Sequence, residues 1–314
     1  MFVLSARTLE WALAKEPLVR QLRPANGSPS VIMDALDLTI NLRGYGWNWS
    51  HGLSFPQDTR PKNRLAFVLY AVLSAVGHLL MLGICHRAVL SFRSPESTTT
   101  TFTLFDESLP LFVQYIRASI IVAFQYILSY SSSQAAYDIG TITGVLFFGQ
   151  EPAQWPPLFD APWRATSLTE FWGRRWHQWF RHIFLFLGGR PLNTFLGHPG
   201  VVIGGFLASA VMHGCLMIGV GDKEAAQNVC LAFVVMLPVG LAERIFYRLT
   251  GKKVGGVAGA IWTTAWLLLS GIMMVKGWMK TGAMGDESLI DGMRPVRMLV
   301  ERSVKSLDTL LRAI

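Results

Sequence analysis

Charge is scarce in this chain of 314 residues. Only 15% of them are Asp, Glu, Lys or Arg, and 51% are hydrophobic. A soluble domain carries about 25% charged residues, so a single water-exposed globule is excluded. Cysteine is scarcer still. Cys85, Cys215 and Cys230 are the three, and none has CxxC spacing. That supports neither a disulfide framework nor a zinc site, and they read as small reduced core residues. The N-terminal stretch MFVLSARTLEWALAKEPLVRQL has charges throughout and no long apolar segment, so it does not read as a cleaved signal peptide. Acidic residues are outnumbered by basic ones, 20 to 28. The basic residues sit mainly between and after apolar runs. That placement suits anchoring beside an anionic leaflet and speaks against nucleic acid as a partner.

Long apolar runs are what the chain has in excess. Spanning hydrocarbon takes about 20 such residues. Four segments qualify, Leu65–Leu90, Leu111–Tyr130, Val201–Val220 and Val229–Leu249, and a fifth, Val254–Trp278, starts glycine-rich but is long enough. Ile139–Gly149 and Ile183–Leu187 are shorter and read as re-entrant, interfacial or half-spanning. The expected fold is all-α: a polytopic integral membrane protein with about five to seven transmembrane helices and amphipathic helices in the interface. The expected division is a leader over 1–60, a transmembrane core over 61–280 and an amphipathic tail over 281–314. In the tail, Val296, Leu299, Val300, Val304, Leu307, Leu311 and Ile314 share one face, which suits either the membrane interface or packing on the bundle. The threonine-rich stretch SFRSPESTTTTFTLFDESLP and the proline-rich EPAQWPPLFDAPWRATS are expected as loops. Gly200 with Gly204, Gly205 with Ser209, and Gly255 with Gly259 have the spacing of close helix contacts in lipid.

The stretch from Ser167 to Gly189, SLTEFWGRRWHQWFRHIFLFLGG, joins aromatic surface to positive charge. Ser167 with Glu170 is a capping box, which predicts a helix start. At 100 degrees per residue, Trp172, Trp176, Trp179, Phe180 and Phe184 share an apolar arc, while Arg174, His177, Gln178 and Arg181 share the polar one. Arg174 and Arg181 are then helical neighbours of His177. They favour a neutral imidazole and form a pair able to hold a phosphate. The residues leave open an ordinary basic interfacial helix. His182 is off the face of His177, so a paired-histidine metal site is not expected.

In GFLASAVMHGCLMIG, His213 lies inside an apolar run, where an ionisable group marks a functional position by default. Gly205, Ser209 and His213 are four apart and form a slot. Cys215 points nearly the opposite way, so a Cys–His nucleophile is not supported. A general base acting on a hydroxyl and a histidine bonded to a neighbouring helix both fit. His78 and His86 raise haem ligation, but no opposed pair is identifiable. Glu243 beside Arg244 fits a functional intramembrane pair or, the commoner outcome, a snorkelling pair at the interface.

SLTEFWGRRWHQWFRH followed about thirty residues on by FLASAVMHG, together with the upstream NLRGYGWNW from Asn41, resembles the wax-synthase-like branch of the membrane-bound O-acyltransferases. The resemblance spans most of residues 41–278. It implies a multi-helix membrane fold with a buried chamber, acyl-CoA as donor and an alcohol as acceptor. By position, His213 matches the family's catalytic base and His177 its second polar motif residue. Arg174, Arg181, Gln178 and Ser209 become candidates for binding CoA or substrate. The expectation is an O-acetyltransferase moving acetyl from acetyl-CoA to a hydroxyl of a terpenoid or meroterpenoid, with no bound cofactor and no metal. Membrane lipid and pathway enzymes are its expected partners, and the endoplasmic reticulum its expected location. A long-chain wax ester synthase shares the chemistry, and a non-enzymatic transporter or scaffold is the rival of another class. Longer family members begin with further hydrophobic helices, where this chain has a short charged leader. Basic residues at 164–190 and 244–253 place those links in the cytosol.

Overall fold

A computed structural model describes residues 2–23, 30–50, 52, 54–92, 104–280 and 287–314. Among the described residues the regular structure is helical. Phe2–Ala12 (α1) and Val31–Ile40 (α2) precede Arg64–Leu90 (α3) and Leu111–Phe147 (α4). Short pieces follow at Leu168–Glu170 (α5), Arg181–Phe184 (α6) and Arg190–Leu196 (α7). His198–Gly219 (α8), Lys223–Thr250 (α9), Gly256–Lys280 (α10) and Arg294–Arg312 (α11) complete the order. Five of these, α3, α4, α8, α9 and α10, are long and apolar enough to cross a membrane. Leu65, Phe147, Leu249 and Val257 are about four-fifths exposed, an apolar surface that lipid covers and water would not. This is an integral membrane protein, with the all-α class expected.

Two compact units divide the chain. The first holds Met1–Ala71, Gly140–Met212 and Met236–Thr264; the second holds Val72–Ile139, His213–Val235 and Ala265–Ile314. In the first, Phe67, Val68 and Val145 pack with Ile142 and Trp155. The second is built on Ala88, Val89, Ile121, Val122, Val275 and Val304.

One sequence expectation changes here, and one left open is decided. Ile139–Gly149 is not a separate half-span, since residues 139–147 end the 37-residue α4. The polar run after Tyr130 continues the helix, and part of it is tied down: Ser132 donates to the Ser129 carbonyl at 3.1 Å. Gln134 donates to Asp138 at 2.8 Å and Ser74 to the same carboxylate at 2.6 Å. The tail helix α11 packs on its own unit rather than only on the interface. Val304 and Leu311 are buried, Arg117 donates to Asp308 at 2.9 Å and Arg87 to Glu301 at 2.8 Å. The threonine-rich loop lies largely outside the described residues.

Glycine spacing is informative at some positions only. A Cβ on Gly204 would lie 2.1 Å from the carbonyl oxygen of Gly188, and one on Gly200 would lie 2.1 Å from that of Leu192. On Gly259 it would meet the Thr166 carbonyl at 2.3 Å, whereas around Gly205 there is open space. Gly204→Ala is therefore expected to cost about 1–3 kcal/mol through overpacking, and Gly205→Ala to be tolerated. Melting temperatures of the two variants in detergent check this; equal values would show that the backbone contact is not tight.

Candidate active site

The site is assembled from a segment that cannot be a regular helix. Pro152, Pro156, Pro157 and Pro162 leave carbonyls without helical donors, and the RG-x-GW loop supplies one. The Arg43 guanidinium donates to the carbonyls of Pro156 and Pro157, each at 2.9 Å. Gly44 at φ +67° is required twice over, because a Cβ there would fall 2.2 Å from the Trp49 ring. Behind the loop, buried Asp37 accepts from Trp47 Nε1 at 2.7 Å and from Arg20 at 3.0 Å.

Ser167 caps the next helix as its sequence predicts, accepting from the Glu170 N–H at 3.0 Å. Glu243 on α9 adds a second cap. Its carboxylate accepts from the N–H groups of Leu168 (2.7 Å) and Thr169 (2.9 Å), from the Thr169 hydroxyl (2.7 Å) and from Trp262 Nε1 (3.1 Å). The expected Glu243–Arg244 surface pair is replaced by this arrangement: Glu243 is buried, and Arg244 meets His198.

One continuous helix from Ser167 does not form. After α5 the chain makes a π turn over Phe171–Arg175, and Trp176 then turns extended, with ψ 158°. The carbonyls left at this end are met from elsewhere. Asp160 N–H donates to Arg175 at 3.0 Å, Gln178 Nε2 to Arg174 at 3.0 Å, and Arg181 to Gly173 at 3.3 Å. The helix-angle placement of Arg174, His177 and Arg181 on one face is thereby overturned.

His177 sits in the bend, ringed by aromatic groups. Its centroid is 5.2 Å from Trp179, 5.5 Å from Trp176 and 5.8 Å from Phe159. The arginines look to carboxylates. Arg174 meets Glu170 at 2.8 Å and Asp160 at 3.3 Å, and Arg175 meets Glu170 at 2.9 Å. Burial pushes the Glu170 carboxyl up, but the Thr166 N–H and Arg175 outweigh it and hold it below its usual value. Burial lowers the Arg181 guanidinium, and its Nε has no acceptor among the described residues.

His182 belongs to a different group of residues. Its Nδ1 meets the Glu10 carboxylate, and its Nε2 lies 2.9 Å from the Trp49 carbonyl and 3.2 Å from Arg190. Burial raises the Glu10 carboxyl, but His182 and then Arg7 more than reverse this, so it titrates below its ordinary range. Sequence reasoning missed Glu10 and Asp37 and gave Glu243 the wrong partner, because His182, Arg20 and the α5 N–H groups that these carboxylates meet are distant in the chain.

His213 lies in the second unit, on α8, half-buried, with its ring 4.6 Å from that of Phe233 and tilted by 32°. The next residue, Gly214, has no room for a side chain: a Cβ would fall 2.6 Å from Cys230 Sγ. Ser209 is buried and Cys215 exposed. Ser209, Arg174, His177, Gln178 and Arg181 all belong to the first unit. His78, considered above for haem, places Nδ1 2.8 Å from the Ser74 carbonyl and 3.8 Å from Asp138.

Comparison with known proteins follows the same segment. Residues 155–236 match the Membrane bound O-acyl transferase family, which bears out the resemblance over that stretch. O-Mevalon transferase yanI of Aspergillus niger is 26% identical over 182 residues, covering 56% of this chain and 38% of that protein. Acetyltransferase ple2 of Rhodocybe pseudopiperita is 27% identical over 261 residues, 74% of this chain and 63% of its own length. Acetyltransferase sirH of Emericella nidulans is 28% identical over 141 residues, 40% of this chain and 33% of its own. The chain thus spans between 33% and 63% of these relatives. No solved structure matches.

Glu243→Ala leaves buried donors without an acceptor and is expected to destabilise the protein by on the order of 3 kcal/mol. Glu243→Gln, which keeps the acceptor oxygen, should recover part of this. An unchanged melting temperature in the alanine variant rules out the cap. Because the Glu170 carboxyl is held below its usual 4.5, its ion pairs stabilise the fold above that pH. The contribution is lost as pH falls through the lowered value. A Glu170→Gln variant should therefore show a shallower loss of melting temperature on acidification than the parent.

Proposed function

We propose, from a chain whose residues 155–236 match the Membrane bound O-acyl transferase family, that this protein is an O-acyltransferase. It moves acetyl from acetyl-CoA to a hydroxyl of a hydrophobic terpenoid or meroterpenoid. The observation that carries the reading is the extent of the match, which encloses both motif histidines, His177 and His213. Relatives named acetyltransferase support acetyl as the group transferred. Five helices able to cross a membrane suit an acceptor that dissolves in lipid. The endoplasmic reticulum and a place beside other pathway enzymes belong to the same proposal.

His213 is the general base in this scheme. It takes the proton of the acceptor hydroxyl as the oxygen attacks the thioester carbonyl. The tetrahedral oxyanion needs hydrogen-bond donors, and His177 is assigned that role. Collapse breaks the carbon–sulfur bond, and the departing thiolate takes the proton back from His213. No acyl-enzyme is required. Ser209, one turn before His213, is assigned to the acceptor, and Gln178 to holding the His177 bend through the Arg174 carbonyl. Arg174 would reach a phosphate of the donor only by leaving Asp160 and Glu170. Arg181 keeps Nε for that purpose.

The relative named O-Mevalon transferase favours a second reading, in which the group moved is not acetyl. His213→Ala is expected to lower turnover by about 100- to 10,000-fold while the protein still inserts. The check is a metabolite comparison between cells carrying the parent and the variant chain. A product heavier by one acetyl group should vanish with the variant. Its persistence would refute His213 as base, and a different mass increment would identify the second reading.

A further inference from the structure

Among the described residues, Ala161 is the one non-glycine residue whose backbone lies in the left-handed region, at φ 41° and ψ 67°. A Cβ is disfavoured there. Strain of this kind persists where the surroundings over-determine it, and it gathers beside functional groups. Ala161 leads into the short turn Pro162–Arg164, in the irregular stretch before the Ser167 cap. Its carbonyl and that of Asp160 are gripped by one side chain from beyond α5, that of Arg175.

Arg175 Nη1 donates to the Asp160 carbonyl at 2.8 Å and to that of Ala161 at 3.4 Å. The Asp160 N–H donates in turn to the Arg175 carbonyl at 3.0 Å, so residues 160 and 175 are clasped in both directions. From another nitrogen, Nε, the guanidinium donates to Glu170 at 2.9 Å, and Glu170 accepts from the Thr166 N–H at 2.9 Å. One planar fork thus ties the incoming chain to the helix start at two points, which the single nitrogen of a lysine would not span. Arg174 is placed differently. Its side chain is 46% exposed against 14% for Arg175, and it meets the carboxylates of Glu170 and Asp160.

The clasp decides what stands against His177. It delivers the buried Phe159 ring edge-on to Trp176, at 5.1 Å and 70°, and to His177, at 5.8 Å and 73°. Phe171, also buried, stacks on Trp176 at 5.3 Å. The imidazole therefore meets Trp176 and Trp179 from its own segment and Phe159 from before α5. Edge-to-face ring contacts have a preferred geometry, and a reacting group locked by packing holds its orientation better than one free to turn.

We infer that Arg175 is a positioning residue for His177: it closes the Ala161 turn and so holds Phe159 against the imidazole. Its guanidinium is engaged by two carbonyls and a carboxylate, which leaves the two adjacent arginines with separate duties, Arg175 inward on the backbone and Arg174 outward. All of these groups lie in the first unit. That the orientation of His177 matters to turnover rests on the acyl-transfer reading above; the clasp itself rests on the geometry alone.

The test uses the full chain in phosphatidylcholine nanodiscs, with its seven histidines labelled with carbon-13 at Cε1. The His177 resonance is the one lost in His177→Gln. Phe159→Leu removes the ring beside the imidazole and should shift that resonance. Arg175→Gln should shift it as well, and the double variant no further than the larger of the two, because both act through one contact. Arg174→Gln, which removes an equal charge from the neighbouring residue, should move it much less. Arg175→Lys keeps the charge beside Glu170 but not the second bond; it should shift the resonance in the same direction and covers the case in which Arg175→Gln does not fold. On the product found in the metabolite comparison, Arg175→Gln and Phe159→Leu should each lower kcat by about ten- to a hundredfold, with KM for acetyl-CoA unchanged. Additive shifts in the double variant, or a resonance unmoved by both Arg175 variants, overturn the inference, as does a normal kcat in a variant whose resonance has moved. A parent chain that forms no product sinks the acyl-transfer reading, and the resonances still decide whether Arg175 orients the imidazole.

Discussion

Backbone polar groups buried away from water need partners, and the candidate site is shaped by that requirement. Between Trp155 and Phe180 the chain is mostly irregular, with three prolines in its first part and a π turn in its middle. Its carbonyls and N–H groups are met by side chains from elsewhere in the chain. Arg43 serves the prolines, Glu243 the helix start, and Gln178 and Arg181 the end of the π turn. Irregular backbone in a membrane protein is tolerated where protein groups satisfy it. The bend that carries His177 is held by the Asp160 N–H from before the turn and by Gln178 and Arg181 just after it, where the periodicity of the local sequence favours a plain amphipathic helix.

That bend changes the chemistry of the segment. On a regular helix, Arg174 and Arg181 would press charge on His177 from either side. In the folded chain Arg174 and Arg175 are neutralised by Asp160 and Glu170, and His177 is left among Trp176, Trp179 and Phe159. An imidazole in aromatic surroundings is suited to hydrogen bonding more than to charge pairing.

Both ends of the chain dock by the same device, an amphipathic helix fixed by ion pairs at its edges. In the first unit, α1 lays Arg7 over Trp49, 4.1 Å from the ring centroid, and joins Glu10 to His182. In the second, α11 seats Val304 and Leu311 and pairs Asp308 with Arg117. Apolar contact supplies most of such a docking, and the ion pairs fix its register.

The sequence by itself determined the solvent, the helix class, the five long spans and the two motif histidines. Hydrophobic run length and local capping are properties of neighbouring residues, so Ser167 as a cap could be read directly. Tertiary structure alone decided that α4 runs on past Tyr130, where Ser74 and Gln134 reach Asp138. It decided likewise that Glu243 caps α5 instead of pairing with Arg244, and that the helix breaks at Trp176. Ser74 with Asp138 and Glu243 with Leu168 are hydrogen bonds between residues whose separation no periodicity encodes, and at the bend the Asp160 N–H reaches the Arg175 carbonyl from outside the turn.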